Sequence, residues 1–396
     1  MMQISPETQL FIREHSSDDV RVLALQAKKY PDIDMPTAIT QIAGRKVAAE
    51  KIPSWWEIEK IWYPKHLSLE QCSSEITARY KARLLQGDSL TDLTGGFGID
   101  CSFLATGFKS ATYVERQEEL CEIAAHNFPV LNLNRINIKN EDGVTYLQVM
   151  SPVDCLFLDP ARRNEHGGKT VAISDCEPNV AELEELLLQK ANRVMIKLSP
   201  MLDLSLALKE LKQTQEVHIL SVNNECKELL ILLGQTSPAE ISIHCVNLFT
   251  KGTQKEQHFV FTREQEQCSE CTYTDSLETY LYEPNASLLK AGAFRSIAAA
   301  YPVRKLHPNS HLYTSDTFIE NFPGRIFRIV NQCSFNKKEV KENLADLKKA
   351  NVTVRNFPAT VAELRKRIHL AEGGDTYLFA STLNNGQKVL IRCEKV

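Results

Sequence analysis

The chain has 396 residues, of which 43% are hydrophobic and 24% charged, and its formal net charge is −4. That length suggests two to three domains with cores of their own, and the composition excludes a disordered or fibrous chain. No apolar run approaches a membrane span, the N-terminus lacks a basic-then-apolar signal pattern, and a cytoplasmic protein without a membrane partner is expected.

Residues 1–86 read as helical. "SPETQLFIREH", "DDVRVLALQAKKY", "MPTAITQIAGRKVAAEKI" and "SLEQCSSEITARYKARLL" place apolar residues three and four apart, with prolines at 31, 36, 53 and 64 between them. The aromatic segment holding Trp55, Trp56, Trp62 and Tyr63 is expected to glue these helices to the next domain, a binding surface being the alternative. From 87 to 235 strands are predicted at 89–93, 110–115, 136–140, 154–159, 193–198, 216–222 and 228–233. Most are short apolar runs without alternation, as in strands covered on both faces, and helical stretches separate the early ones. The pattern predicts a mostly parallel, doubly wound sheet whose last two strands pair as a hairpin. Further strands follow within 236–275, then one helix over 285–301. A last unit in the order βαβαββ closes the chain, with Asn385-Gly386 as its hairpin turn.

Two other features bear on partners. The eleven cysteines are odd in number and irregular in spacing, which argues against a disulfide framework. Cys268-Ser-Glu-Cys271 lacks a second ligand pair nearby, since His307 and His311 lie far along the chain. It reads as a solvated turn, and no metal is expected. Residues 322–396 carry 14 Lys+Arg against 7 Asp+Glu, a net of +7, and leave −11 on the other 321 residues. A basic tail domain on an acidic body fits a nucleic-acid-binding module, with a solvated helix face as the plain alternative.

The chemistry centres on "SLTDLTGGFGIDCSFLA", residues 89–105. The first strand of a doubly wound sheet ends at the ligand crevice, and glycine lets the next turn approach a ligand with φ > 0. The dinucleotide fingerprint G-x-G-x-x-G/A, begun at Gly96, fails at Cys101. A P-loop is rejected, because "GGKT" at 167–170 lacks its first glycine, the place being taken by Arg163. An adenosyl ligand fits better. Glu115 ends the second strand, 23 residues after Asp92, where a carboxylate can accept from ribose hydroxyls. Asp142 follows the third strand, and Asp159 ends the fourth in "LFLDPARR", in the same crevice.

"DLTGGFGID", Glu115, Asp142 and "LDPARR" resemble the successive motifs of class I S-adenosylmethionine-dependent methyltransferases. The whole chain is similar to bacterial methyltransferases with a C-terminal THUMP-like domain, and "LEQCSSEITARYKA" resembles their lead-in helix. The resemblance implies an α/β fold with four parts: a helical N-terminal region (1–86), a Rossmann-like class I methyltransferase domain (87–275), a ferredoxin-like segment (276–321) and a THUMP-like domain (322–396). It implies S-adenosyl-L-methionine as cofactor, held by Asp92, Thr94, Gly95, Gly96, Gly98, Glu115 and Asp142, with Ser74 and Thr77 near its methionine carboxylate. Asp159, Pro160 and Arg162 are the expected catalytic residues. Arg163, Lys169, Lys197 and Ser199 are expected on the substrate side, although for Lys197 a snorkelling surface lysine is the alternative. D-P-A-R departs from the D-P-P-[aromatic/R] pattern, since Ala161 replaces the second proline. Ser199 stands where C5-uridine methylases need a cysteine, which disfavours carbon methylation and leaves nitrogen or oxygen. RNA is the expected partner, through the basic C-terminal domain. The rival reading is an RNA-binding protein with a catalytically degenerate methyltransferase fold.

Overall fold

The computed structural model describes residues 4–162, 172–236 and 238–396, with the backbone alone for Arg162. The chain folds into two compact units, one of residues 1–215 with 229–238 and the other of 216–228 with 239–396.

The first unit opens with short helices, as the periodicity predicts: Pro6–Glu14, Val20–Leu25, Met35–Lys51, Pro53–Trp56, His66–Gln71 and Glu75–Ala82. Ser5, Asp19 and Asp34 cap three of them by accepting from backbone N–H groups of the first turn. Strands β1 (Ser89–Asp92), β2 (Ser110–Glu115), β3 (Ile136–Asn140) and β4 (Val153–Leu158) follow, then the two-residue pair β5 (Ala161–Arg162) and β6 (Cys176–Glu177), and β7 (Ala191–Leu198). The main sheet runs β3-β2-β1-β4-β7, all parallel, and β9 (Glu225–Gly234) joins β7 antiparallel. This is the doubly wound arrangement, and the order reverses between β1 and β4, where α/β sheets form their ligand crevice. β8 (Thr214–Val222) leads into β9 through Asn223-Asn224, both with positive φ (49° and 68°), the turn geometry of a tight hairpin.

The aromatic segment is mainly packing, as expected. Trp55 and Tyr63 are buried against Phe97 of the glycine turn, with ring centroids 5.1 and 6.3 Å away. Trp62 stacks on His126 at 3.8 Å. Gly44 makes the approach possible, since a Cβ there would stand 2.3 Å from the Tyr63 Cβ. Burying Phe97 this way stabilises the turn by about 1.5–3 kcal/mol and fixes its position against the helical region.

In the second unit β10 (Ser242–Leu248) pairs with β8 in parallel and with β11 (Glu256–Thr262) antiparallel. A separate seven-stranded sheet contains β12 (Tyr280–Pro284), β13 (Arg304–Lys305), β14 (Tyr313–Ser315), β15 (Gly324–Ser334), β16 (Asn351–Val354), β17 (Thr376–Thr382) and β18 (Lys388–Lys395), in the order β13-β14-β12-β15-β18-β17-β16. Residues 280–315 and 324–395 therefore share one sheet. Its alternation sorts Phe327, Phe379 and Ile391 into one core and Leu378, Ala380 and Leu390 into another, where Leu344 and Leu364 of two helices pack. The predicted βαβαββ order is present. The single helix expected over 285–301 is two, Ala286–Ala291 and Ser296–Ala300, because Gly292 turns left-handed (φ 77°) and caps the first. The first helix of that unit runs Lys337–Leu344, and beyond it Lys349 bridges to Ala371. Among the described residues no helix is long and apolar enough to cross a membrane.

Candidate functional site

The C-terminal ends of β1, β2 and β4 converge on the turn 93–98. Leu93 N–H donates to the Phe157 carbonyl (3.0 Å) and Gly95 N–H to the Val114 carbonyl (2.8 Å), so the turn is stitched to both neighbouring strands. A Cβ at Gly95 would stand 2.3 Å from the Tyr113 ring, whose hydroxyl donates to the Gly96 carbonyl at 2.5 Å. Gly96 and Gly98 have φ of 54° and 86°. Close approach at the first and positive φ at the other two explain the three glycines.

The predicted carboxylates sit around this turn. Glu115 is buried, and its two oxygens accept from Gly96 N–H and Gln117 N–H, both at 2.9 Å. Asp142 is exposed and caps the helix Gly143–Val149, accepting from Val144 and Thr145 N–H at 3.0 Å. The next residue touches the turn, since a Cβ at Gly143 would lie 2.2 Å from the Leu93 carbonyl oxygen. Asp92 is 1% exposed. One of its oxygens accepts from Thr94 N–H at 3.0 Å, and Oδ2 has no hydrogen-bond partner among the described residues. Burial, with repulsion from Asp100, Asp159 and Glu115 added, pushes its pKa up to about 8, against the Thr94 N–H that opposes the shift.

That shift has a sign that can be measured. The unfolded Asp92 ionises near the usual carboxylate value and the folded one near 8. Folding therefore holds a proton the unfolded chain has lost. The stability linked to it is intact at acid pH, declines as pH rises from about 4, and is gone above the folded value. Thermal or urea unfolding of the ligand-free protein is expected to weaken over this window, and Asp92→Asn to flatten the decline. An unchanged slope in the variant contradicts the assignment.

Beside the turn lies a buried ionic cluster. Lys81, fully buried, reaches Asp100 Oδ1 at 2.9 Å and the Ser73 hydroxyl at 2.8 Å. Ser73 donates to Asp100 Oδ2 at 2.7 Å. Lys197, 7% exposed, ion-pairs with Asp159, stands 3.5 Å from Asp100 and donates to Ser73 at 3.2 Å. Burial pushes the Asp100 pKa up, but Lys81, Lys197 and the Ser73 hydroxyl outweigh it and hold it below the ordinary value. For Asp159 the surrounding protein wins and raises the pKa, although Lys197 opposes it and the side chain is 35% open to solvent. Thr94 ties this residue to the turn by accepting Asp159 N–H at 2.6 Å.

Lys197 is thus no snorkelling surface lysine. It is folded back onto two carboxylates, because an ammonium buried this deeply needs them. Pro160 is buried next to Asp159, and Arg162 pairs through its backbone with Cys176. Ser199 follows β7 and accepts from Met201 N–H at 3.3 Å. Ser74 and Thr77 interact with each other across the first turn of the lead-in helix (3.2 Å between hydroxyls). Arg163 and Lys169 lie outside the described residues. Sequence reasoning missed Ser73, Lys81 and Asp100. The signal was present in two charged residues, one in "TARYKA" and one in "GID", both on helix faces that must be buried.

Residues 280–323 match the family model of a ferredoxin-like domain and residues 324–395 that described as THUMP domain-like. No curated protein matches the chain. A solved structure named as a "putative methyltransferase", from Porphyromonas gingivalis W83, is 34% identical, covers 100% of both chains and superposes with a TM-score of 0.87. An rRNA methylase from Streptococcus thermophilus (14% identity, TM-score 0.30, 40% of this chain and 93% of that one) is a far weaker likeness. So is SMU.1697c from Streptococcus mutans in complex with SAH (14%, 0.30, 40% and 96%). Neither bears on what this chain binds. The full-length match, with the two C-terminal domains, places the chain in the bacterial family of class I methyltransferase fold that carries a ferredoxin-like segment and a C-terminal THUMP-like domain.

Proposed function

We propose that the protein is an S-adenosylmethionine-dependent methyltransferase acting on a nitrogen or oxygen atom of RNA. The observation that carries this reading is Asp92, a carboxyl buried at the glycine turn with one oxygen unpartnered among the described residues. An unsatisfied buried polar group costs about 1–3 kcal/mol, and a ligand ammonium at the turn, displacing the carboxyl proton, relieves that cost.

The donor set fits the cofactor. Glu115 retains lone pairs for ribose hydroxyls beyond the two N–H groups it accepts, since a carboxylate offers about four acceptor sites. Asp142 stands beside the turn for an adenine amino group, and Asp92, Thr94, Gly95, Gly96 and Gly98 form the turn itself. Ser74 and Thr77 are proposed at the methionine carboxylate. When bound, the cofactor supplies an electrophilic methyl group on a sulfonium.

The chain's own residues supply the rest. Asp159 orients the acceptor by taking a hydrogen bond from its N–H or O–H, and accepts the proton the acceptor loses. Its raised pKa suits that task, and the Lys197 ammonium beside it opposes the rise. Pro160 stiffens the loop, Ser199 is proposed on the substrate side, and Arg162, Arg163 and Lys169 are proposed to attract phosphates. The basic residues of 322–396 are proposed to deliver the RNA. Part of that charge is neutralised locally, as Arg325 and Arg355 pair with Glu283, and Arg392 with Asp346.

Calorimetry with S-adenosylhomocysteine and with NAD tests the reading. The first is expected to bind and the second not. Near neutral pH its ammonium is expected to displace most of one proton from Asp92, seen as a binding heat that varies with buffer ionisation enthalpy. NAD binding, or RNA binding without S-adenosylhomocysteine binding, contradicts the proposal. The latter selects the non-enzymatic alternative.

A further inference from the structure

A second cluster lies on β8, β10 and β11 and shares no residue with the site described above. Glu216 and His218 are two apart on β8 and so point to one face. His244 of β10 is level with His218 in the parallel pairing, and His258 of β11 is level with Val246 and so diagonal to His244. The imidazoles form a stack, His218 to His244 at 4.3 Å and His244 to His258 at 5.3 Å between ring centroids. His218, 2% exposed, places Nε2 3.2 Å from the Glu216 carboxylate. His244 places Nδ1 3.1 Å from His258 Nε2, and Nε2 3.1 Å from the Ser242 hydroxyl.

One ligand atom each from Glu216, His218 and His244 lies within 4.8 Å of the other two. A tetrahedral ion about 2.1 Å from each ligand needs such atoms roughly 3.4 Å apart, so the trio closes on an ion with shifts of about an ångström and a turn of one of the two stacked rings, whose in-plane lone pairs lie nearly parallel at 17° between planes.

The geometry points to a binding site for one divalent transition-metal ion of the Zn²⁺ class, held by Glu216, His218 and His244 and completed by water or His258. Two nitrogens and a carboxylate oxygen suit such an ion and do not suit Mg²⁺ or Ca²⁺, which take oxygen ligands. The ion cross-links β8 to β10, and strands that carry ligands only in the folded state gain stability when it binds.

The test is titration of the full chain with Zn²⁺ alone and with Mg²⁺ alone, followed by calorimetry and by thermal melting. One equivalent of Zn²⁺ is expected to bind and raise the melting temperature, and Mg²⁺ to do neither. His244→Ala and Glu216→Gln are each expected to weaken Zn²⁺ at least tenfold. The Cys268→Ser/Cys271→Ser double variant, which removes the other thiol-bearing candidate, is expected to bind as the native chain does. Glu216 lies at a half-exposed position, so Glu216→Gln reads the site even if the histidine variant fails to fold. Absence of Zn²⁺ binding, equal binding by Glu216→Gln, or loss of binding only in the cysteine variant overturns the proposal.

Discussion

Asp159→Ala is expected to lower methyl transfer by about 10²–10⁴-fold, the range a positioned proton acceptor supplies, while S-adenosylhomocysteine binds nearly as before. The split follows from how the residue is held. Its backbone N–H, which anchors the loop to Thr94, survives the substitution. The glycine turn is fixed separately, by Val114, Tyr113 and Phe157. Only the carboxylate facing Lys197 is lost. Asp159→Asn should lose nearly as much turnover, since an amide keeps the shape but takes no proton. Its pH–rate profile should also lack the ascending limb that ionisation of Asp159 gives the native chain. Transfer by Asp159→Ala at the native rate removes the residue from the mechanism.

The largest effect on stability is expected at Lys81. Its side chain is wholly buried and bonded to Asp100 and Ser73. Lys81→Met removes one partner of a buried pair and leaves Asp100 undercompensated, a loss of about 3–5 kcal/mol. Urea unfolding should show the midpoint falling at nearly constant m. The contrast is two residues earlier in the same helix. Arg79 pairs with Glu75 at 2.7 Å, but its side chain is 59% exposed. Arg79→Ala is expected to cost about 1 kcal/mol or less. Similar losses at the two positions contradict the view that the cluster is electrostatically dry. Because Lys197 shares Ser73 and Asp100 with Lys81, the variant should also disturb Asp159 and lower kcat more than the stability change explains.

Much of this architecture was legible in the sequence because its signals are local. Parallel strands covered on both faces are short apolar runs, and β2 falls on the predicted residues and β1 and β4 within one residue of them. The glycine turn was legible because positive φ and a Cβ excluded by Tyr113 each select glycine. Gly292 was not. It sits inside an apolar stretch with good helical spacing, and only its left-handed φ breaks the helix.

The ionic cluster was hidden for another reason. Lys81, Asp100 and Lys197 come from two helices and a strand, and nothing in any one segment says that the others neutralise it. Charge on a buried face is a long-range fact, visible in sequence only as an unexplained polar residue at an apolar position. The histidine stack depends likewise on the β8–β10 register, which no pattern within either strand sets.

The central claim, methylation of RNA by this chain through Asp159, is tested most directly by nucleoside mass spectrometry of RNA from cells lacking the gene. A methylated nucleoside is expected to disappear, to return on complementation with the native chain, and to stay absent with Asp159→Ala. An unchanged nucleoside profile in the deletion, or full restoration by Asp159→Ala, contradicts it.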